Sequence, residues 1–375
     1  MKPEPNVSII VPTINEAENL PELMRRLAAA IGQRSYEILI VDDSSTDNTS
    51  AVCADLANQY PLRLIVREHP KNGLSGAVLE GLAIARGDVF VVMDADLQHP
   101  PEKVPELLEA LDHGRGDFVL GSRHVAGGGV EGGWGIARKI NSTVATLLAA
   151  PFAGKVGDPM SGFFALRRST FQRAQRLTPL GYKIGLELMS KCRVQKVYEV
   201  PILFGLRHRG RSKLSIKEQF RYLEHLSRLY DFSFPRLSPI LKFLIVLILG
   251  WGVGFLVDLG LAEIGANTIG TIAIAYLFTI AMTSVFHVRY VRTQREFLLG
   301  RHPWVDFIFI SICEWCACIG AAAWAHAELI QPEWIKIFFI AYAVATIVRY
   351  VLRKELMQDI RGLRKNIRHD EIHIV

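Results

Sequence analysis

Val89-Phe-Val-Val-Met93, running directly into Asp94-Ala95-Asp96-Leu97-Gln98, decides how this chain is read. The apolar run has the length and continuity of a strand covered on both faces, as in a parallel sheet. Where it opens into a loop, two carboxylates and an amide oxygen fall within five residues. Such donors suit a hard divalent cation, Mg2+ or Mn2+, and a cation placed there can neutralise a diphosphate. Taken alone, Asp-x-Asp reads as an acidic, solvated turn; the rest of the N-terminal half reverses that reading.

Working outward, Val7–Val11 is a β-branched strand ending at Pro12, and Asn15 opens a helix through about Gly32. Tyr36–Val41 is a second strand, ending at Asp42-Asp43. The turn Ser44–Asn48 then caps a helix through about Tyr60. Leu62–Glu68 reads as a strand, Gly73–Ala85 and Pro101–Asp112 as helices, and Asp117–Gly121 as another strand. This alternation predicts an α/β domain with a mostly parallel sheet and helices on both faces. Ligands bind such sheets at the carboxyl ends of the strands. Asp42-Asp43, Asp94 with Asp96, and Gly121-Ser-Arg123 all fall there. Ala126–Gly135, with six glycines, reads as a loop. Lys139–Phe152 is a helix, Asp158–Gly162 a turn, Phe163–Arg167 a strand, Leu186–Arg193 a helix and Lys196–Pro201 a strand. Arg207–Lys213 is a basic loop. Leu214–Phe232 repeats Ile216, Phe220, Leu223, Leu226 and Tyr230 at helical spacing, which suits a membrane interface.

Hydrophobic residues make up 50% of the 375, and the mean hydropathy is +0.22. The excess is concentrated in four predicted spans, about Ile240–Leu261, Ile269–Val288, Phe307–Ala325 and Ile335–Leu352, each near the length a bilayer needs. The expected domains are 1–213, an amphipathic region 214–238, spans over 239–352 and a basic tail 353–375. The net charge of +6 sits mostly beside the spans. With no basic stripe interleaved with aromatics, nucleic acid is excluded in favour of anionic lipid. The linker Arg289–His302 carries four Arg, the tail is rich in Lys and Arg, and the other two loops hold only acids. That asymmetry predicts a cytoplasmic N-terminal domain, linker and tail. No signal-peptide core precedes the first strand. The five cysteines show no disulfide pattern, and Cys313-x-x-Cys316 lies within a predicted span. Glu314 is an intramembrane acid, functional or paired with a neighbouring helix.

Val11-Pro12-Thr-Ile-Asn-Glu16, Val41-Asp-Asp43, Asn72-Gly73, Asp94-Ala-Asp-Leu-Gln98-His-Pro-Pro101, Gly121-Ser-Arg123 and Ser161-Gly162 together resemble inverting glycosyltransferase family 2. Glu199-Val-Pro201, Phe204, Arg207 and Gly210-Arg-Ser-Lys213 resemble its polyprenyl-phosphate sugar transferases, the dolichol-phosphate mannose synthases above all. The likeness spans about residues 5–232. The four-span tail resembles a small membrane domain found on some prokaryotic members. The resemblance implies a GT-A type fold and mannose transfer from GDP-mannose to a dolichyl or other polyprenyl phosphate at the membrane. It implies that Pro12, Thr13, Glu16, Val41, Asp43 and Gly73 line the nucleoside side. Asp94 and Ala95 would lie against ribose and diphosphate, with Asp94, Asp96 and Gln98 as the metal site. Arg123, Arg207 and Lys213 would face the donor and acceptor phosphates, and with Asp96 form the catalytic set. His99 is expected behind the metal site, since imidazole suits softer metals than Mg2+.

The chemistry is consistent with these residue types. A lipid phosphate is already an anion at neutral pH, so its attack needs no general base. Negative charge builds on the departing diphosphate, where fixed cations can stabilise it. Those cations also offset repulsion between two anionic substrates. A single displacement inverts the anomeric centre. The same scaffold could use UDP-glucose. A lipid-sugar flippase with a sensing domain is the rival of another class, and a processive synthase would need an acceptor motif that is absent.

Overall fold

The structure is a computed structural model that describes residues 5–70, 72–133, 135–178, 180, 183–206, 216–264, 267–286, 303–329 and 333–358. It divides into two compact units, Met1–Ser233 and Phe234–Val375.

The first unit runs β1 (Val7–Thr13), α1 (Leu20–Ile31), β2 (Tyr36–Asp42), α2 (Thr49–Leu56), β3 (Leu62–Val66), α3 (Gly73–Ile84), β4 (Val89–Val92), α4 (Val104–Asp112) and β5 (Phe118–Ser122). Then follow β6 (Gly129–Val130), α5 (Ile136–Ala153), β7 (Phe164–Arg167), α6 (Arg168–Phe171), α7 (Ile184–Lys191), β8 (Val197–Pro201), β9 (Leu203–Phe204) and α8 (Ile216–Ser233). The main sheet has the order β3-β2-β1-β4-β7-β5-β8. Alternate strand residues point to opposite faces, and the two cores divide accordingly. Ile9, Val11, Ile38, Ile40 and Val91 pack with Leu23, Leu27 and Leu107 of α1 and α4. Ile10, Leu39, Val41, Phe90 and Val92 pack with Val78 and Leu82 of α3 and with Leu186 and Leu226 of α7 and α8. Glycine at position 81 allows α3 to approach: a Cβ there would stand 3.1 Å from Val41 Cγ2 and closer still to Ile10 Cγ2.

Every main-sheet strand but β7 runs the same way, so the carboxyl ends of β1, β2, β4, β5 and β8 share one rim. β7 is antiparallel to both β4 and β5 and lies between them. Its amino end therefore starts on that rim and carries the Asp158–Gly162 turn to it. The two-stranded β6–β9 pairing was not expected from sequence.

α8 packs within the first unit. Leu226 and Leu229 are buried, Tyr222 Oη donates to the Ala145 carbonyl at 2.7 Å, and His225 Nε2 lies 3.4 Å from Glu187 Oε2. The predicted boundary at residue 213 thus falls ahead of a helix belonging to the same core. The outer face of α8 still exposes Phe220 and Leu223, and α5 exposes Ile140, Val144 and Leu147.

The second unit is α9 (Ser238–Glu263), α10 (Thr268–Phe286), α11 (Pro303–Glu328) and α12 (Trp334–Gln358). Three stretches, Ile240–Glu263, Ile308–Glu328 and Trp334–Leu352, are long and apolar enough to cross a membrane; the apolar part of α10, Thr268–Ser284, is shorter. Glu314 is paired: Arg349 Nε donates to its Oε1 at 2.6 Å, and Arg349 Nη2 to Thr283 Oγ1 at 3.2 Å.

Candidate active site

At the carboxyl ends of β1 and β2, short polar side chains bind one loop to the next. Thr13 Oγ1 donates to Asp42 Oδ1 at 3.0 Å, and the Ser45 N–H to Asp42 Oδ2 at 2.8 Å. Asn15 adopts φ 57, the left-handed region that Asn tolerates, and its Oδ1 accepts the Thr46 N–H at 2.8 Å. Glu16 Oε2 accepts from Asn19 Nδ2 at 2.7 Å. Asp43 pairs with Arg67, whose Nε donates to Glu80 at 2.9 Å and whose Nη1 reaches the Gly73 carbonyl at 3.2 Å. Thus Thr13, Glu16, Asp43 and Gly73 do converge on one rim with Pro12. Val41 differs: the whole residue is buried in the core, so it lies behind the rim and is not open to a ligand.

At the end of β4, Asp94 is 35% exposed while Asp96 is buried. The loop turns through Leu97 at φ 62, a strained conformation for a branched side chain. The turn is closed by the Gln98 N–H on Asp96 Oδ1 at 3.2 Å. Gln98 Nε2 donates to the Gly205 carbonyl at 3.1 Å, and the Gly205 N–H to the Gln98 carbonyl at 2.9 Å. The end of β9 is thereby fastened to the Asp-x-Asp loop. Arg207 and Lys213 follow shortly in sequence but lie outside the described residues.

His99 is buried behind this loop, stacked on Phe163 at 5.3 Å and edge-on to Phe204 at 5.4 Å. Its Nδ1 accepts the Asp94 N–H at 3.1 Å. Burial pushes its pKa down to about 4, with Arg123 adding to the shift against the pull of Asp96. It is a neutral support for the Asp94 backbone.

At the end of β5, Arg123 makes a two-point pair with buried Asp158, Nε to Oδ2 at 2.6 Å and Nη2 to Oδ1 at 2.7 Å, and lies over the Phe204 ring at 5.3 Å. Burial raises the Asp158 pKa, but the Arg123 hydrogen bonds and charge outweigh it and the net shift is downward. Glu199 of β8 accepts the N–H groups of Gly157 and Asp158 at 2.8 and 3.0 Å. Ser161 Oγ donates to the Gly121 carbonyl at 2.7 Å. Sequence reasoning had Arg123 facing phosphate and gave no role to Asp158. Glu199, Phe204 and Ser161 were read only as motif, whereas they brace the site.

Lys183 was missed altogether. It precedes α7, half-buried, with Nζ on the Met160 carbonyl at 3.3 Å. Burial and then the charge of Arg123 push its pKa down to about 8, while Asp158 and Asp94 pull it back up.

The residues present fit a hard cation in part. Asp94, Asp96 and Gln98 offer oxygens of the right chemistry. Among the described residues there is no group of three His, Cys, Asp or Glu, so such an ion would complete its shell from diphosphate and water, as Mg2+ usually does.

A family model, Glycosyl transferase family 2, matches residues 8–174. The chain is similar to a dolichol-phosphate mannosyltransferase of Pyrococcus furiosus, 47% identical over 243 residues, covering 64% of this chain and 68% of that protein. It is similar also to one of Mycosarcoma maydis, 43% identical over 254 residues, covering 65% and 85%. A glucosyl-3-phosphoglycerate synthase from Mycobacterium tuberculosis, solved with Mn2+ and UDP, is a looser likeness. It is 22% identical, covers 60% of this chain and 79% of that one, and has a TM-score of 0.45.

Proposed function

We propose, from the premise that the chain belongs to glycosyl transferase family 2, that it transfers mannose from GDP-mannose to dolichyl or another polyprenyl phosphate at a membrane. The observation that carries this is the meeting, on one rim, of the Asp94–Gln98 loop with the Arg123–Asp158 pair, in a chain over 40% identical to dolichol-phosphate mannosyltransferases.

In this reading Asp43 and Glu16 hold the nucleoside, with Pro12, Thr13 and Gly73 forming its walls and Val41 packed behind them. Asp94 and Ala95 lie against ribose and diphosphate. Asp94, Asp96 and Gln98 hold Mg2+ or Mn2+, which when bound offsets charge on the leaving diphosphate. Arg123 stands at the acceptor side, oriented by Asp158, and Arg207 and Lys213 supply further cations to both phosphates. Neutral His99 keeps the Asp94 backbone in place and adds no charge. Attack by the lipid phosphate needs no base, so the site's work is to bind, align and neutralise.

The exposed apolar residues of α5 and α8 and the apolar helices of the second unit support a membrane protein whose lipid substrate arrives from the bilayer. Four spans, with the first unit, the linker and the tail in the cytoplasm, agree with the charge asymmetry of the loops.

The deciding experiment is a membrane assay with radiolabelled GDP-mannose and UDP-glucose side by side, each with dolichyl and undecaprenyl phosphate. Mannolipid formed only from GDP-mannose is the expected result. Transfer from UDP-glucose alone would replace the reading, and no transfer from either donor would end it.

A further inference from the structure

Lys183 and Lys191 bracket the same short helix, α7, in opposite circumstances. Lys191 is buried and compensated: its Nζ lies 2.7 Å from Glu187 Oε1, 2.8 Å from Thr178 Oγ1 and 2.7 Å from the Arg176 carbonyl. Lys183 has a single hydrogen bond, 3.3 Å to the Met160 carbonyl, and no carboxylate at ion-pair distance among the described residues. An ammonium carries three donors, and removing it from water is costly unless it is paired. Its place is also unfavourable in itself, because a cation at a helix N-terminus opposes the macrodipole. Within the segment itself, nothing but that one hydrogen bond accounts for a Lys there.

Its surroundings do. Met160 lies in the Asp158–Gly162 turn, whose Asp158 holds Arg123. At its other end, a Cβ built on Gly162 would stand 3.6 Å from Asp94 Oδ2. The turn to which the Lys183 ammonium is anchored therefore holds the arginine of the site at one end and lies close to the acidic loop at the other.

We propose that Lys183 is a further substrate-contacting residue of this site, its ammonium donating to a phosphoryl oxygen of the sugar nucleotide or of the lipid phosphate. The proposal rests on the transferase reading above. An arriving phosphoryl oxygen gives the ammonium an anionic partner, which offsets the cost of its partial burial.

The test uses the full chain in detergent, with Lys183→Met, which keeps the stem and removes the charge, and Lys183→Arg. Each substrate is varied separately, and GDP binding with Mn2+ is measured by calorimetry. Lys183→Met is expected to lower kcat/KM by roughly 100-fold, with Lys183→Arg recovering part of it. A loss on the donor together with weakened GDP binding identifies the diphosphate; a loss on the acceptor alone identifies the lipid phosphate. Values within threefold of the parent for both substrates, with GDP affinity unchanged, overturn the proposal. Lysine acylation of the parent protein, followed by mass spectrometry, is independent of variant folding and of turnover. GDP with Mn2+, or farnesyl phosphate, should protect Lys183, and equal labelling with and without both also overturns it. A parent that transfers no sugar while Lys183 is still protected refutes the transferase reading alone.

Discussion

Arg123 and Asp158, 35 residues apart in sequence, meet in a two-point ion pair at 2.6 and 2.7 Å with the carboxylate fully buried. β7 makes this possible by inserting antiparallel between β4 and β5, which delivers the 158–162 turn to the rim where β5 ends. Removing one member of such a pair strands a buried charge, at a cost of roughly 3–5 kcal/mol. Asp158→Ala should lower the thermal midpoint of the detergent-solubilised protein by about 10 °C and reduce transfer. An unchanged midpoint, read by intrinsic fluorescence, would mean that water or another group replaces the carboxylate.

Asp96 is the buried member of the acidic loop and closes its turn on the Gln98 N–H. Asp96→Ala should cut transfer by at least ~100-fold and abolish its dependence on added Mn2+ or Mg2+, while circular dichroism stays that of the folded protein. Full activity in chelator-buffered medium would remove the metal from the mechanism.

Glu187 is buried beneath α8. Burial pushes its carboxyl up, but His225 at 3.4 Å and the Lys191 charge and hydrogen bond prevail and hold its pKa down at about 2. A carboxylate depressed in the fold contributes stability that is complete above its unfolded pKa near 4.5 and fades as pH falls toward 2. On the order of 3 kcal/mol is involved. Thermal midpoints measured from pH 6 to pH 2 should fall steeply in that window. Glu187→Gln should be less stable at pH 6 and respond more weakly to acid. Parallel curves for the two proteins would count against the assignment.

Glu314 and Arg349 pair within the second unit at 2.6 Å. Glu314→Leu leaves the guanidinium buried without its carboxylate and should destabilise that unit by a few kcal/mol. The double variant Glu314→Leu, Arg349→Leu should recover most of the loss. Detergent thermal scans decide; a double variant as unstable as the single would show that the pair is not the source.

The strands of the main sheet, most of the helices, the strand-end position of Asp43, Asp94 and Arg123, and the apolar helices were legible in the sequence. Apolar runs, β-branching and turn residues act over a few neighbours, and one chain shows them. The insertion of β7, the β6–β9 pairing and the membership of α8 in the first core depend on contacts between distant segments, which no local pattern records. The same limit applies to the side chains. Sequence named Asp94, Asp96 and Gln98 because they share one short loop. Only the tertiary structure decided that Asp158 holds Arg123, that His99 and Phe204 support the rim, that Val41 turns into the core and that Lys183 arrives beside the Asp158–Gly162 turn. Charge, burial and compensation are properties of space rather than of spacing, and they exist only once the sheet has brought these ends together.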